Sequence, residues 1–540
     1  MTPLDDAVVL VRAVRGLYDG DAAALGVLDE LDRRLHEPLR VAIAGIVKAG
    51  KSTLLNALLG ERIAPTDAGE CTRVVTWYRY ADTPSITLHP REGQPRRLPV
   101  RRVHGQLALD LAGLPPEDID RIDIGWPSRV LRSVILIDTP GIASLSRDVS
   151  ARSAAFLAPD DAPSSADAIV YLLRHLHPSD VRFLEAFRDT AAGASRTVNA
   201  VAVLSRADEI GSGRIDSLLS AGKVALRYER DGGLASLALG VIPVAGLLAE
   251  GARTLREAEF AAFRELAALD RADREGLLTS ADRFVRPSDV VTLGEQERRD
   301  LLARFGIYGV RLATSLVRAG ATDSSELADR LVQHSGLQDL SGFIQRQFES
   351  RATTLKVRGV LDTLERLLRG TPRDGSTPIL AGIERIQATA HSLRELSVLS
   401  QARVTGLPLP AAEAADAVRI IGGDGTAPAA RLALSVGADD AEVRARVALE
   451  LDRWRATSQS PLTERAAREV CRVVIRSLEE VASEVGGAGG DGPAADVVLA
   501  GGPGDGGGEG AHHQGEQHQS GLGGEDLAQQ HASVPATHQL

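Results

Sequence analysis

At 540 residues the chain exceeds one average domain, so we expect roughly two or three folded units of a soluble protein. Aromatic residues make up only 3% of the sequence, which favours helices and buried parallel strands over a β-sandwich, and two distant cysteines argue against a disulfide framework and suit a reducing cytoplasm. The net charge of −11 argues against broad electrostatic binding to nucleic acid, so no nucleic-acid partner is expected.

The N-terminal segment, residues 1–37, carries a helical repeat. Apolar residues recur at helical spacing from Leu4 to Leu31, with a predicted break near Gly20 and an end at Pro38. One face of such a helix needs an apolar partner. We therefore predict that this segment packs with the helices of the C-terminal half.

Residues 38–322 alternate short apolar runs with helical stretches, which is the pattern of a mostly parallel sheet with helices on both faces. An arginine-rich insertion around residues 96–102 is predicted to be a solvated hairpin between the second and third strands. The fold class predicted for this domain is doubly wound α/β. The predicted strands are residues 40–44, 74–80, 134–137, 168–173, 198–204 and 240–244.

After residue 246 the strand signals stop. Residues 248–269 and 295–302 have a helical pattern, and residues 305–309 are predicted to form a turn that leads into another helix. Residues 323–485 are almost wholly helical in pattern and predict an α-helical bundle. The tail, residues 486–540, is Gly-rich and polar and is predicted to be disordered, because it cannot bury enough apolar surface.

The strongest motif follows the first predicted strand and reads Gly45-Ile46-Val47-Lys48-Ala49-Gly50-Lys51-Ser52-Thr53. It matches the G-x-x-x-x-G-K-[ST] phosphate loop, in which backbone N–H groups and the N-terminus of the next helix face phosphates. We expect Lys51 to reach the β- and γ-phosphates and the Ser52 hydroxyl to ligate Mg²⁺. The loop residues assigned to nucleotide binding are Gly45, Lys48, Ala49, Gly50, Lys51, Ser52 and Thr53.

A second motif, Asp138-Thr139-Pro140-Gly141, follows the third predicted strand. The Asp138 carboxylate is predicted to hold a water of Mg²⁺, and the Gly141 N–H to sense the γ-phosphate. Between the two motifs a threonine is expected to close over the metal. Thr72 is the best placed, with Thr66 and Thr76 as competitors, so the predicted metal set is Ser52, Thr72 and Asp138.

A third motif, Ser205-Arg206-Ala207-Asp208, predicts the base that is read. The Asp208 carboxylate can accept from both the N1–H and the exocyclic amine of guanine, and Arg206 can stack along the base. The alternative is a plain surface turn. Ser205 and Ala245, in the loop Pro243-Val244-Ala245-Gly246, complete the predicted nucleotide contacts, with GTP and GDP as the ligands.

These motifs together resemble the dynamin superfamily, and its bacterial members most closely. The resemblance rests on residues 45–56, on residues 65–76 with Cys-Thr-Arg, and on the Asp138 and Asp208 motifs. Ribosome-assembly GTPases of the Era type share the phosphate-loop run but carry Gly-Thr-Thr-Arg-Asp in the switch, which this chain lacks. The resemblance implies a Mg²⁺-dependent GTPase with a helical neck and stalk, which forms a homodimer across the nucleotide or pairs with another dynamin-like protein.

Two positions depart from the family. Dynamins proper carry Gln and Ser where this chain has Val47 and Lys48, and Ile142 stands where Ras-like enzymes place their water-orienting Gln. We hypothesise that Lys48 supplies positive charge to the transition state, the alternative being an exposed loop lysine. The predicted catalytic residues are Lys51, Ser52, Thr72 and Lys48.

The resemblance also implies a membrane-associated role. No apolar run reaches the roughly 20 residues that span a bilayer, so the expected location is cytoplasmic, with peripheral binding to the inner face of the cell membrane. Anionic lipid is predicted to meet a helix face bearing Arg346, Arg351 and Arg358, which is otherwise a solvated face. Leu407-Pro408-Leu409-Pro410 is the nearest candidate for an inserting loop, or else an interhelical turn. The competing class is a regulatory or assembly GTPase whose helical region binds a protein partner.

Overall fold

The computed structural model of the chain describes residues 2–65, 74–103, 106–141, 165–191, 199–231 and 233–487. The predicted switch residue Thr72, its competitor Thr66 and Ile142 lie outside these ranges, as does the predicted tail from residue 488 onward.

Nine strands form one sheet in the described part of the chain, in the order β11-β10-β9-β1-β8-β2-β7-β3-β4, and β5 pairs with β6 in a separate hairpin. Most neighbours within the large sheet are parallel, while β2 runs antiparallel to β8 and β3 runs antiparallel to β7 and β4. The strands are β1 (Leu39–Gly45), β2 (Val75–Tyr80), β3 (Ser85–Pro90), β4 (Arg96–Leu98), β5 (Arg101–Val103), β6 (Gln106–Ala108), β7 (Ile119–Trp126), β8 (Val134–Asp138), β9 (Ala168–Leu173), β10 (Ala200–Ser205) and β11 (Val241–Val244).

The helices of the described residues are α1 (Pro3–Leu17), α2 (Ala22–His36), α3 (Lys51–Leu59), α4 (Pro178–Ala191), α5 (Ser217–Asp231), α6 (Gly246–Arg253), α7 (Glu257–Ala268), α8 (Arg271–Leu277), α9 (Ala281–Val285), α10 (Glu295–Arg318), α11 (Ser324–Gln333), α12 (Leu337–Gln347), α13 (Ala352–Gly370), α14 (Ser376–Thr389), α15 (His391–Val404), α16 (Ala411–Ile420), α17 (Pro428–Leu432), α18 (Asp440–Gln459) and α19 (Arg465–Gly487). The predicted break near Gly20 separates α1 from α2. The predicted turn at residues 305–309 is present as a kink at Gly306, where two helical segments of α10 meet.

The central strands are buried on both faces, which explains why most of their residues are apolar. In β1, Val41 and Ile43 face one core, which includes α3 and α6, while Ala42 and Ala44 face the other, which includes α4 and α5. This arrangement confirms the predicted doubly wound, mostly parallel α/β class with an added helical region.

Two strands of the sheet were not predicted from the sequence, β3 and β7. Both alternate polar and apolar residues, with Ile86 and Leu88 buried in β3 and Ile122 and Ile124 buried in β7. That period of two is the signal that identifies them. The predicted solvated hairpin is shorter than expected, since Arg96 and Arg97 belong to β4 at the sheet edge and only β5 and β6 form the separate pair.

The N-terminal helices pack against α13 and α14. Leu10 and Leu28 are buried in the same apolar cluster as Val357, Leu361 and Ile383. At the other end of the helical region α18 and α19 pack against each other, with a short connection at residues 460–464. Helix α11 contacts α6, and helix α12 contacts strand β11 of the sheet.

The predicted lipid-binding face is wrong. Arg351 and Arg358 are only 6% and 7% exposed, although Arg346 is on the surface. Arg351 donates to the carbonyl of Gly422 and to Gln347 Oε1, so it holds the loop after α16 rather than facing solvent. The candidate inserting loop is also engaged, because Leu407 packs against the main apolar core.

Of the three tryptophans of the chain, two lie in the large sheet and one lies in the helical region. Trp77 in β2 lies beneath the guanidinium groups of Arg40, Arg79 and Arg121, at 4.9, 4.7 and 5.5 Å from its ring. Trp126 ends β7, and Trp454 on α18 is 1% exposed. Among the helices of the described ranges, none combines the length and apolarity required to cross a bilayer.

Candidate functional site

The phosphate-loop motif forms a tight turn between β1 and α3. Gly45 ends β1 with φ +149, and a Cβ placed on it would lie 2.4 Å from the carbonyl oxygen of Leu172 in β9. Only glycine fits so close to a neighbouring strand. Gly50 then caps α3, which begins at Lys51. The free N–H groups of a helix start therefore point into the loop.

Lys51 reaches back over the turn. Its Nζ donates to the carbonyl oxygens of Gly45 and Ile46, at 3.2 and 3.4 Å. Burial lowers the pKa of this ammonium, and the charge of Asp138 opposes that shift. The positive charge is thus held inside the loop by neutral acceptors, where a phosphate oxygen can replace them.

Ser52 and Asp138 meet across the loop. The Ser52 hydroxyl donates to Asp138 Oδ2 at 3.2 Å, and Oδ1 of the same carboxyl is buried without a hydrogen bond from the described residues. Burial raises the pKa of Asp138 to about 6, against the opposing effects of Lys51 and Ser52. A hydroxyl beside a buried carboxylate with a free oxygen suits a hard cation such as Mg²⁺. Of the three residues predicted to hold the metal, Ser52 and Asp138 therefore lie together and fit it, while Thr72 lies outside the described residues.

The residues after Asp138 pass directly over the phosphate loop. Thr139 donates from its N–H and its hydroxyl to the carbonyl of Ile43, at 3.3 and 3.0 Å. A Cβ on Gly141 would lie 2.5 Å from Val47 Cγ2 and 2.9 Å from its Cα. Any larger residue at 141 would push the two segments apart. The predicted γ-phosphate sensor thus lies against the loop.

Beside the phosphate loop lies an open cleft with a cavity volume of about 150 Å³. The ends of β10 and β11 and the start of α3 and α6 form its walls, and Asp208 lies partly buried within it. Burial raises the pKa of the Asp208 carboxyl. The lining residues are Ala49, Gly50, Thr53, Leu54, Leu172, Val203, Ser205, Arg206, Asp208, Glu209, Val244, Gly246 and Leu247. The structure therefore brings the phosphate loop and the Asp208 motif to one cavity.

Arg206 bridges the two motifs. It has φ +53, its Nη2 donates to the carbonyl of Lys48 at 3.4 Å, and its Nη1 donates to Glu209 at 2.8 Å. Glu209 also accepts from Arg174. These contacts hold the guanidinium plane along the wall of the cleft, where a flat base can stack on it. Glu209 was not assigned to the site from the sequence, although its position directly after Asp208 could have indicated that it lies there.

Ala245 lies behind the cleft wall rather than on it. It is fully buried and its N–H donates to the carbonyl of Ser335 at 2.9 Å, while Val244, Gly246 and Leu247 face the cavity. Lys48 has an exposed side chain and is not among the residues that line the cleft. Its backbone, at φ +63, turns the loop outward at that point.

Comparison with known proteins identifies the family to which the chain is similar. A sequence model of the Dynamin family matches residues 41–180, which include the phosphate loop and the Asp138 motif. The isoniazid-induced protein IniC of Mycobacterium tuberculosis is 40% identical over 457 residues, covering 85% of this chain and 92% of that protein. A bacterial dynamin-like protein of Nostoc punctiforme is 31% identical over 160 residues, 27% of this chain and 22% of that protein.

Among solved structures, the chain aligns with one described as an oligomerised bacterial dynamin pair with a mechanism for long-range sensing and tethering of membranes. The alignment covers 90% of this chain and 75% of that one, at 12% identity and a TM-score of 0.28, a score too low to argue from.

Proposed function

Because the chain belongs to the bacterial dynamin-like GTPases of the dynamin family, we propose that it hydrolyses GTP to GDP and phosphate and couples this cycle to self-association and membrane binding or remodelling. One observation carries the enzymatic part. The Lys51 ammonium, the Ser52–Asp138 pair and the Asp208 cleft share the carboxyl edge of one sheet, with Ser52 Oγ 3.2 Å from Asp138 Oδ2.

In this proposal Lys51 leaves the carbonyls of Gly45 and Ile46 and binds the β- and γ-phosphates. Ser52, Thr72 and Asp138 would hold Mg²⁺, which would offset charge on the phosphate oxygens. The Gly141 N–H contacts the γ-phosphate. Lys48 adds positive charge from the exposed rim of the loop, where charge develops as the β–γ bond breaks.

The base would be read in the cleft. The Asp208 carboxylate accepts from two N–H groups of guanine, while Arg206 stacks on its face. Leu172, Val203 and Leu247 supply apolar walls. Adenine offers no pair of donors to such a carboxylate, so selectivity for guanine follows.

A second copy would complete the site. The position after Gly141 is Ile142, which cannot orient a water by hydrogen bonding. A partner subunit that pairs across the nucleotide can bring the missing group. Turnover per molecule should then rise with protein concentration, and GDP with aluminium fluoride should convert monomers to dimers in a sizing column. A monomer that turns over at a constant rate would contradict pairing and leave the GTPase proposal intact.

The tip between α18 and α19 is the part we propose to meet lipid. Pro461 and Leu462 are exposed there, Leu462 by 92%, and Arg465 and Arg468 follow on the surface. The exposed leucine suits insertion into a bilayer interface, where Arg465 and Arg468 can meet lipid phosphates although Glu464 and Glu469 lie beside them. Sedimentation with anionic liposomes tests this directly.

A different observation favours the alternative, a regulatory GTPase with a protein partner. Helix α5 leaves Leu219 and Leu226 75% and 51% exposed, and Ile215 just before it 57% exposed, at helical spacing. Such a stripe suits a partner helix. Failure to sediment with liposomes, together with GTP-dependent capture of one defined protein lost on Leu219→Asp, would support this reading.

A further inference from the structure

Helix α10 passes behind the guanine-reading motif and contacts it in several places. A Cβ on Gly306 would lie 3.7 Å from Asp208 Oδ2, and a Cβ on Gly213 would lie 3.0 Å from Ile307 Cγ2. Arg311, one turn further along, binds the loop after Asp208. The motif that reads the base is therefore backed by one helix.

The loop after Asp208 has an unfavourable backbone. Gly211, Ser212 and Gly213 are consecutive and all have positive φ, at +77, +63 and +69. The left-handed region is unfavourable for serine, so this conformation must be held by its surroundings. A Cβ on Gly213 would lie 3.8 Å from the carbonyl oxygen of Asp208, so the position of the loop also affects how Asp208 is presented.

Arg311 holds that loop. Its Nη1 donates to the carbonyl of Gly213 at 2.6 Å, its Nη2 to that of Thr279 at 2.6 Å, and its Nε to that of Leu278 at 2.8 Å. One guanidinium thus ties the loop to the end of α8. No carboxylate forms a salt bridge with Arg311 in the described residues, so its hydrogen bonds go to backbone carbonyls.

Gly306 provides the backbone conformation that breaks α10 beside Asp208. Its φ of +63 and ψ of 171 break the helix, and its Cβ would also lie 3.7 Å from Leu247 Cδ2 on the other wall of the cleft. Two residues on, Tyr308 is 2% exposed. Burial, followed by the charge of Asp208, raises the pKa of Tyr308 to about 12.

The same helix braces the second wall. A Cβ on Gly251 of α6 would lie 2.7 Å from the carbonyl oxygen of Arg304. Gly246 and Leu247, which line the cleft, belong to the first turn of α6. Both walls around the base therefore rest on α10.

We propose that Arg311 and Gly306 are positioning residues for Asp208, and that α10 through them sets the rate at which guanine nucleotide leaves the site. This rests on the proposed function, since it assumes that guanine is read by Asp208. Loss of the Arg311 clamp frees a loop whose backbone is otherwise unfavourable. The loop then moves, and the Asp208 carboxylate loses its alignment with the base.

The test is the release of a fluorescent GDP analogue, followed by stopped flow. We expect Arg311→Ala to release it roughly tenfold faster or more, and Arg311→Lys to be intermediate because one ammonium cannot span three carbonyls. Hydrolysis of already bound GTP in a single turnover should change less than about twofold, since the phosphate loop is untouched. Arg299→Ala is the matched control, because this arginine of α10 is 55% exposed and pairs only at the surface.

Gly306→Ala provides a second variant if Arg311→Ala melts before the assay temperature. Alanine is strained at the left-handed φ of Gly306, so this variant should shift the helix break beside Asp208, speed release and narrow the preference for GTP over xanthosine triphosphate. Release within twofold of the parent in the folded variants would overturn the proposal. A parent protein that binds no guanine nucleotide would overturn the proposed function as well, so the two failures are distinguishable.

Discussion

Arg34 on α2 and Asp167 at the start of β9 form a buried ion pair, with Arg34 Nε 2.6 Å from Asp167 Oδ1. Their side chains are 6% and 0% exposed. Asp167 Oδ2 also accepts from the N–H of Arg40 in β1, at 2.9 Å. The pair therefore fastens the N-terminal helices to the edge of the nucleotide-binding sheet opposite the phosphate loop.

Removing one partner of this pair should destabilise the protein. Arg34→Met leaves the Asp167 carboxylate buried without its guanidinium, so the free energy of unfolding should fall by about 3–5 kcal/mol. Urea denaturation measures it. Arg15→Met is the control, because Arg15 pairs with Asp29 on the surface, at 45% and 58% side-chain exposure, and should cost less than about 1 kcal/mol. If both variants lost the same free energy of unfolding, burial would not be what makes the Arg34–Asp167 pair important.

Lys51→Ala removes the cation held over the phosphate loop. We expect GTP turnover to fall by roughly a hundredfold or more, because Lys51 is the residue proposed to bind the β- and γ-phosphates directly, whereas Lys48 acts from the exposed rim of the loop. Phosphate release measures it, with Lys223→Ala on the exposed side of α5 as the control. Parental turnover in the Lys51→Ala protein would refute the role given to the loop.

Asp208→Asn exchanges one acceptor for a donor facing the N1–H of guanine. Affinity for GTP should fall by roughly tenfold to a hundredfold, as expected for a hydrogen bond to a charged group, and xanthosine triphosphate should gain. Calorimetric titration of both nucleotides decides it. An unchanged preference would place base recognition elsewhere in the chain.

Lys48→Ala tests the exposed lysine of the phosphate loop. If its charge acts on the transition state, turnover should fall by roughly tenfold while the affinity for GDP stays nearly intact. Steady-state kinetics and a GDP titration give the two quantities. Equal losses in both would indicate general phosphate binding, and no loss in either would indicate a solvated lysine.

Leu462→Asp tests the tip between α18 and α19. Sedimentation with anionic liposomes should decrease severalfold, because a carboxylate opposes both insertion and the anionic surface. Val436→Asp is the control: it is also fully exposed but lies before α18, about 30 Å away along a 20-residue helix. Binding should also weaken with salt, since screening acts over about 10 Å at roughly 0.1 M. An equal loss of liposome binding in both variants would indicate that the added negative charge, and not its position at the tip, reduces binding.

The sequence predicts the parts of this fold that local chemistry determines. The strand before Gly45 is apolar from Val41 to Ala44 because both of its faces are buried, and the glycines and Lys51 that follow define the loop. Asp138 and Asp208 follow strands in the same way. Parallel strands bring such residues to one edge, so the candidate site was predictable in outline.

The parts that depend on packing were not predictable. Arginines spaced along a helix look solvated, yet Arg358 lies in the contact between α13 and the N-terminal helices, with Gly359 beside the Arg34 guanidinium. Likewise the turn predicted at residues 305–309 is confined to a kink at Gly306, and helix resumes on both sides of it, where α10 packs on α6 and α7. The helices that pack against these residues determine whether an arginine is buried and how far a turn extends, and the sequence of one helix does not show them.

The spread of tryptophans gives this chain built-in optical probes. Trp77 and Trp126 belong to the sheet, whereas Trp454 lies within the helical region. A variant with phenylalanine at residues 77 and 126 would emit from the helical region alone, and Trp454→Phe would emit from the sheet alone. Fluorescence melting curves of the two would show whether the nucleotide-binding part and the helices unfold as a single cooperative unit or in succession, without any attached dye.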